Sequence, residues 1–152
     1  MTTERGLRRI TAWFAADRMI ESIRKFMMTC PLLDGAEVNV NYLAPEPRSF
    51  AVDNISAPPV VKRYSDGGCI RQFCFAVACR DAYDRDEKGN SETAQLFEKL
   101  AAWIEEQDLI GNYPDITGIP VGLEVTGSAA LENTDGFTAR TSMQARLLYR
   151  QK

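Results

Sequence analysis

The sequence contains no histidine among its 152 residues, although histidine is the commonest general base and metal ligand near neutral pH. This absence excludes acyl transfer by a Ser-His or Cys-His pair. Hydrophobic runs are short, and none approaches the roughly 18 to 20 residues that a membrane-spanning helix needs. With a net charge of −3 and a pI of about 5.1, the chain also lacks the basic excess that binds nucleic-acid backbones. We therefore expect neither a membrane span nor nucleic-acid binding.

The four cysteines do not follow the spacing of a metal site or a disulfide. Cys69, Cys74 and Cys79 lie on one predicted strand, and their regular spacing places successive thiols on opposite faces. Cys69 and Cys79 share a face, but the extended chain between them is roughly 33 Å long. Each cysteine is interpreted as a buried, reduced thiol, which fits synthesis in a reducing cytoplasm.

The longest strand candidate runs over 69–80 and follows the turn Asp66-Gly67-Gly68, whose residues tolerate positive φ. One of its faces is bulky and must meet a helix or a second sheet. The other face is small, so that a covering element can approach closely. We expect a central strand buried on both faces, with Arg71, Phe73, Phe75, Val77 and Cys79 on the first and Gln72, Cys74, Ala76 and Ala78 on the second.

Hydrophobic periodicity assigns the other elements. It predicts helices over 18–29, ending before Pro31, and over 92–109, the latter lying across the bulky face. Alternating patterns predict a strand over 36–43 and a short edge strand between prolines over 49–54. They also predict a strand over 60–64 that pairs with the central strand. The chain then ends in a hairpin from 121 to 150, which turns at 133–136.

These elements predict a single α+β domain over 19–152, a mostly antiparallel β-sheet packed by two α-helices. Residues 1–18 are interpreted as an N-terminal extension whose pattern is compatible with a helix. The segment 81–90 is charged and predicted as a loop. Its acidic residues do not complete a calcium loop, because Lys88 and Gln95 stand where ligands are needed. We find no residues that assemble an active site, and we expect no cofactor, no metal and no enzymatic activity.

Several stretches resemble a family of small virion proteins of phages and prophages of Gram-positive bacteria, known as minor capsid or tail-completion proteins. The similarity begins at Met19, and its most distinctive piece is Trp103-Ile104-Glu105-Glu106-Gln107. The matching stretches are 19–26, 38–43, 62–68 with 71–73, 97–107 and 144–149.

The resemblance implies a tail terminator. Such α+β subunits form a ring that caps the tail tube, stops its growth and joins it to the head connector. The expected ring is a hexamer. The implied partners are further copies of the chain, the tail tube protein and head-tail connector proteins. The implied location is the head-proximal end of the virion tail, after synthesis in the cytoplasm of the bacterial host. The resemblance brings no catalytic residues with it.

Two groups of charged residues are candidate subunit contacts in such a ring. Alternation along the last strand places three arginines on one wet face, and the predicted loop carries four acidic residues. A ring contact joins two different patches, which suits opposite charges placed apart on the chain. A solvated face is the alternative interpretation. The candidate residues are Asp81, Asp84, Asp86 and Glu87 on one side and Arg140, Arg146 and Arg150 on the other.

Two other functions remain open. A head-tail connector or another minor capsid protein would bind purified portal or adaptor rather than tail tube. A small-ligand-binding protein or enzyme would need a concave pocket with converging polar groups, which the sequence does not indicate.

Overall fold

The structure, a computed structural model, describes residues 18–33, 35–45, 48–82, 87–134 and 138–151. Within them the α+β class predicted from the sequence is confirmed, since six strands form one mostly antiparallel sheet accompanied by two helices. In chain order the elements are α1 (18–28), a 3-10 turn (Pro31–Leu33), β1 (Val38–Val40), β2 (Ser49–Ile55), β3 (Val60–Arg63), β4 (Cys69–Ala82), α2 (Glu87–Ile110), β5 (Ile119–Thr134) and β6 (Thr138–Gln151).

The sheet is organised around β4, as predicted. Its strand order is β1-β2-β4-β6-β5, and only the β1–β2 pair is parallel. On one side, β6 pairs with β4 along its whole length. On the other side, β3 pairs with the first residues of β4 and β2 with the remainder, so that β2 and β3 follow each other along the same edge. The outer strands at the two edges of the sheet are β1 with β3, and β5.

The turn before β4 forms as its sequence predicts. The backbone amide of Tyr64 donates to the carbonyl oxygen of Gly68 at 2.8 Å, and the side chain of Asp66 accepts from the amide of Gly68 at 2.9 Å. Gly67 has a φ of 90°, a conformation that residues with a Cβ rarely adopt. This turn sets β3 and β4 in antiparallel register.

Both helices pack on the bulky face of β4. Phe75 and Val77 are almost fully buried, and they share one continuous apolar core with Ile23 of α1 and Ile104 of α2. The two helices also touch each other. Larger members of the core come from five strands and both helices, and they include Phe26, Met27, Val38, Phe50, Val52, Phe97, Leu100, Leu123, Met143 and Leu147.

β2 differs from its prediction as an edge strand. It lies between β1 and β4, and Phe50, Ala51 and Val52 are buried on both faces. The prolines that suggested an edge lie outside the strand Ser49–Ile55, so its backbone amides remain available for pairing on either side. The outer position belongs instead to β1, which is shorter than the predicted 36–43.

The segment predicted as an acidic loop is largely built into regular structure. β4 continues to Ala82 and therefore includes Asp81, while α2 already begins at Glu87. Asn90 and Ser91, predicted to cap a helix starting at 92, lie inside α2. A glycine within a helix costs about 1 kcal/mol. The helix tolerates Gly89 because the buried stripe that follows supplies its stability.

Other predicted features are met or fall outside the described residues. α1 ends before Pro31, as expected for a residue preceding proline. Most of the predicted N-terminal extension, residues 1–17, lies outside the described residues, as do 135–137 of the predicted C-terminal turn region. No helix in the described ranges is long and apolar enough to cross a membrane.

We predict that Phe75→Ala lowers the free energy of unfolding by about 3 to 5 kcal/mol, because it removes a fully buried ring from the centre of the core. Urea denaturation followed by tryptophan fluorescence measures the loss. Leu109→Ala is the matched control, since Leu109 is 86% exposed and its truncation should change stability by less than about 0.5 kcal/mol. Equal effects of the two substitutions would contradict this description of the core.

Candidate functional site

The three candidate arginines lie together on the face of the sheet opposite the helices. Arg140, Arg146 and Arg150 alternate along β6 with Met143 and Leu147, which are buried beneath the helices. The alternation predicted from the sequence is therefore correct. The chemistry differs from a basic, solvated stripe, because each arginine has an acidic partner within the chain.

Arg140 forms an ion pair across a strand. Its Nη2 lies 2.6 Å from Oδ2 of Asp53 on β2, although β4 separates β2 from β6. In the register of the sheet the contact runs diagonally over Ala78, whose surface is fully buried. A longer side chain at Ala78 would block this path. The small face of β4 was expected to admit a covering element, and in the described part of the chain it is crossed by this ion pair.

The ion pair of Arg140 with Asp53 is one row of polar contacts across the sheet, and Arg146 forms a second. Its Nε donates to Oε1 of Glu124 on β5, and its Nη1 donates to Oε1 of Gln72 on β4 at 3.1 Å. Because Cys74 pairs with Arg146 in the register, the thiol lies beneath this row. The two rows tie four neighbouring strands together through side chains as well as through the backbone ladder.

Arg150 has the weakest contacts of the three. Its Nη2 is 4.0 Å from Oδ2 of Asp66, and its guanidinium lies 5.9 Å from the ring centre of Tyr64. Both charged side chains are largely exposed, and exposed pairs of this kind contribute about 0 to 1 kcal/mol. Arg150 is thus the member of the stripe whose charge is most available to another molecule.

Of the four acidic candidates, Asp81 is the one whose side chain the structure describes, and it lies away from the arginines. Asp81 lies on the helix side of β4, where Arg48 donates to its Oδ2 at 3.1 Å and Thr93 of α2 approaches it at 3.4 Å. Glu87 is the first residue of α2. Asp84 and Asp86 lie outside the described residues. Asp81 and the arginine stripe therefore occupy opposite faces of the sheet, and their proposed contact between subunits stays a prediction.

The end of α2 is fastened to β5 by one carboxylate. Oδ1 of Asp108 accepts from the hydroxyl of Tyr113 at 2.8 Å and from the backbone amide of Leu123 at 3.0 Å. The hydrogen bond to Asp108 raises the pKa of Tyr113 above its ordinary value. Gly111, with a φ of 73°, ends the helix and brings the chain back toward this contact.

Beyond this attachment α2 and β5 leave a cleft between them. It has a volume of about 420 Å³ and is lined by Val125 and by Phe97 and Met143, each of which is only 1% exposed. The register of β5 shifts at this level, between Val125 and Ala130. The exposed side chains of Glu98 and Glu105 stand at its helical rim. Its other lining residues are mostly small, namely Ala94, Ala101, Thr126, Gly127, Ser128 and Ala129.

The four thiols are free, and burial was predicted for each of them. Three are buried, and Cys74 on the helix-free face is half-buried. Burial raises the pKa of Cys79 to about 12 and also raises the pKa of Cys74, against the opposing charge of Arg146. A raised thiol pKa lowers the thiolate fraction at neutral pH, so these groups are poor nucleophiles.

Within the described ranges no group of three or more histidine, cysteine, aspartate or glutamate side chains could hold a metal ion. The sequence reasoning missed Asp53 and Glu124, the acidic partners of Arg140 and Arg146. A signal for Asp53 was present, because it is the one charged residue in the predicted strand 49–54. No such signal marks Glu124, whose role depends on the pairing of β5 with β6.

A scan against known protein families finds no match, and a search of curated proteins finds no relative.

We predict that Asp53→Ala lowers the free energy of unfolding by about 1 to 2 kcal/mol, between the values for exposed and buried ion pairs. The side chains of Arg140 and Asp53 are only 27% and 22% exposed, so removing the acid takes one carboxylate contact away from a half-buried guanidinium. Chemical denaturation of both single variants and of Asp53→Ala with Arg140→Ala measures their coupling. Asp115→Ala, at an exposed loop position, is the control. Additive single effects would contradict a direct interaction.

We predict that Cys74 is the first thiol of the folded protein to react with a thiol reagent. The reaction should be slow at pH 7 and accelerate as the pH rises toward the raised pKa of Cys74, because only the thiolate attacks. Cys79 should react only after unfolding. Peptide mapping after timed alkylation identifies the modified residue, and Cys74→Ser should abolish the early reaction. Early modification of Cys79 would show that the core opens more readily than its burial indicates.

Proposed function

We propose that this chain is a structural virion protein of the tail-terminator class, which assembles into a ring at the head-proximal end of a phage tail. The observation that carries the proposal is the agreement between the architecture and the resemblance. The resemblance implies an α+β subunit with helices packed on an antiparallel sheet, and the described residues form such a fold.

The placement of the similar stretches supports the proposal. The stretch 97–107 forms the middle of α2 and supplies Phe97, Leu100 and Ile104 to the core. The stretch 144–149 lies on β6, and 62–68 forms the turn into β4. Since these pieces belong to different layers of one core, their joint presence concerns the whole fold rather than one local motif.

The distribution of surfaces also suits a subunit of an assembly. Both helices cover one face of the sheet, whereas the other face carries charged side chains held in defined positions by Asp53, Glu124 and Gln72. Ordered charges favour recognition of a fixed partner surface, because little side-chain entropy is lost on binding. Such a face is available to tube or connector proteins.

We predict that the purified protein forms a ring of about six subunits, either alone at high concentration or on contact with tail tube ends. Light scattering over a range of concentrations measures the mass, and negative-stain imaging of tubes assembled in vitro locates the protein. Capped tubes of limited length are expected. Tubes that grow equally long with and without the protein would overturn the proposal. Binding to purified portal or adaptor instead would favour the head-tail connector alternative.

A further inference from the structure

Large apolar side chains are exposed where α2 ends and β5 begins. In the described part of the chain nine such side chains are exposed, and four of them belong to this region, namely Leu109, Ile110, Ile119 and Val121. Leu109 has the highest exposure of the nine, and Ile119 is 64% exposed. Single exposed apolar residues are ordinary, whereas a group of them marks a contact with another protein. The charged side chains beside them indicate what covers them.

Leu109 and Ile110 lie on the outer face of α2 beside two acids. Residues three and four apart on a helix are neighbours, so Glu105 lies next to Leu109, and Glu106 lies next to both apolar residues. All four side chains are exposed, whereas Ile104 of the same turn faces the core. Neither acid forms an ion pair with any residue that the structure describes. We call these four exposed residues the helix patch.

Ile119 lies on the other face of the sheet, beside an arginine. Arg150 pairs with Ile119 on β5 and with half-buried Ile70 on β4, and residues directly opposite each other share a face. Both isoleucines therefore lie on the helix-free face. The exposed ring of Tyr64 is 5.9 Å from the guanidinium, and Asp66 holds Arg150 only weakly, at 4.0 Å. We call Tyr64, Ile70, Ile119 and Arg150 the sheet patch.

The two patches complement each other in chemistry and lie on opposite faces of one sheet. Each combines exposed apolar surface with charge, which is negative on the helix patch and positive on the sheet patch. A chain cannot join its own two patches, because the sheet separates them. Two copies joined through them keep one free patch of each kind, so that further copies can add. Such a contact is heterologous and generates a ring when its rotation closes.

We propose that the helix patch of one copy packs on the sheet patch of the next copy. Leu109 covers Ile119, and the guanidinium of Arg150 pairs with the carboxylates of Glu105 and Glu106. This inference rests on the proposed function and deepens it, since it assigns the contact between neighbouring subunits of the ring. The contact uses one end of the helix-free face and leaves the rest of that face to the tube or the connector.

Charge reversal tests the contact. Arg150→Glu should weaken self-association about tenfold or more, because it sets like charges against each other across the contact. Glu105→Arg with Glu106→Arg should do the same from the other side. Light scattering at matched concentrations gives the mass of each variant, and circular dichroism with thermal unfolding verifies that each remains folded.

An equimolar mixture of the two reversed proteins is the decisive sample. In the mixture the acidic sheet patch of one variant meets the basic helix patch of the other, and the unmodified patches of the two variants also match. Assembly should therefore return in the mixture although neither protein assembles alone, and the two chains should alternate in the product. The protein carrying all three reversals should assemble by itself.

The apolar part of the contact has its own variants. Ile119→Asp should weaken self-association, whereas Leu131→Asp should not, although Leu131 is a similarly exposed residue near the other end of the same strand. Leu109→Ala should weaken association while leaving the stability of the dilute monomer almost unchanged, because Leu109 contacts little within its own chain. Equal effects of Ile119→Asp and Leu131→Asp would contradict the contact.

Matched charge controls lie outside both patches. Lys25→Glu reverses one exposed charge of α1, and Glu37→Arg with Glu92→Arg reverses two exposed acids near the starts of β1 and α2. Both controls should assemble like the unmodified protein. Equal loss of assembly in the controls, or no rescue in the mixture, would overturn the inference.

The outcome is separable from that of the proposed function. Unchanged masses for the reversed proteins, with tubes still capped, would reject the contact between the patches and keep the tail-terminator proposal. Rescue in the mixture without any effect on tube length would support the contact and reject that proposal. An unmodified protein that stays monomeric, both alone and with tubes, would overturn the contact as well.

Discussion

The burial of one face of β4 is the constraint on which the rest of the structure depends. Phe75 and Val77 lie in the middle of the sheet and expose almost no surface. A side chain of this kind gains about 1.5 to 3 kcal/mol from complete burial, and the gain requires a cover that spans several strands. Two helices together provide it, and they contact each other where the rings of Phe26 and Trp103 lie 5.2 Å apart. The helices, in turn, leave the opposite face of the sheet to polar side chains.

On the opposite face, small residues leave room for long charged side chains to lie in defined positions. The alanines of β4 and β2 leave a shallow channel along the sheet, and long side chains from neighbouring strands lie across it. Arg140 reaches Asp53 by this route, and Arg146 joins Glu124 to Gln72. An arginine held by two or more partners keeps a fixed direction, since its planar group donates several hydrogen bonds at set angles. The result is a charged surface with defined geometry.

Features that depend on residues close together in the sequence could be predicted, whereas features that depend on pairing between distant strands could not. Alternation along β4 and β6 and the stripe of α2 were readable, because each depends on neighbours within a few residues. The interior position of β2 was not readable, since it depends on β1 pairing from the other side. Likewise Asp81 belongs to a strand because β6 pairs with β4 as far as Ala82, a fact that the charged local sequence hides. The ion pairs of the arginine stripe required the complete strand order.

The pair between Arg140 and Asp53 has a mechanical consequence. β2 and β6 share no backbone hydrogen bonds, yet this contact links them over the top of β4. A pull that separates β2 from β4 must therefore also stretch a bond anchored two strands away, and part of the load passes to β6. The outer strands of this sheet therefore resist separation together rather than one at a time.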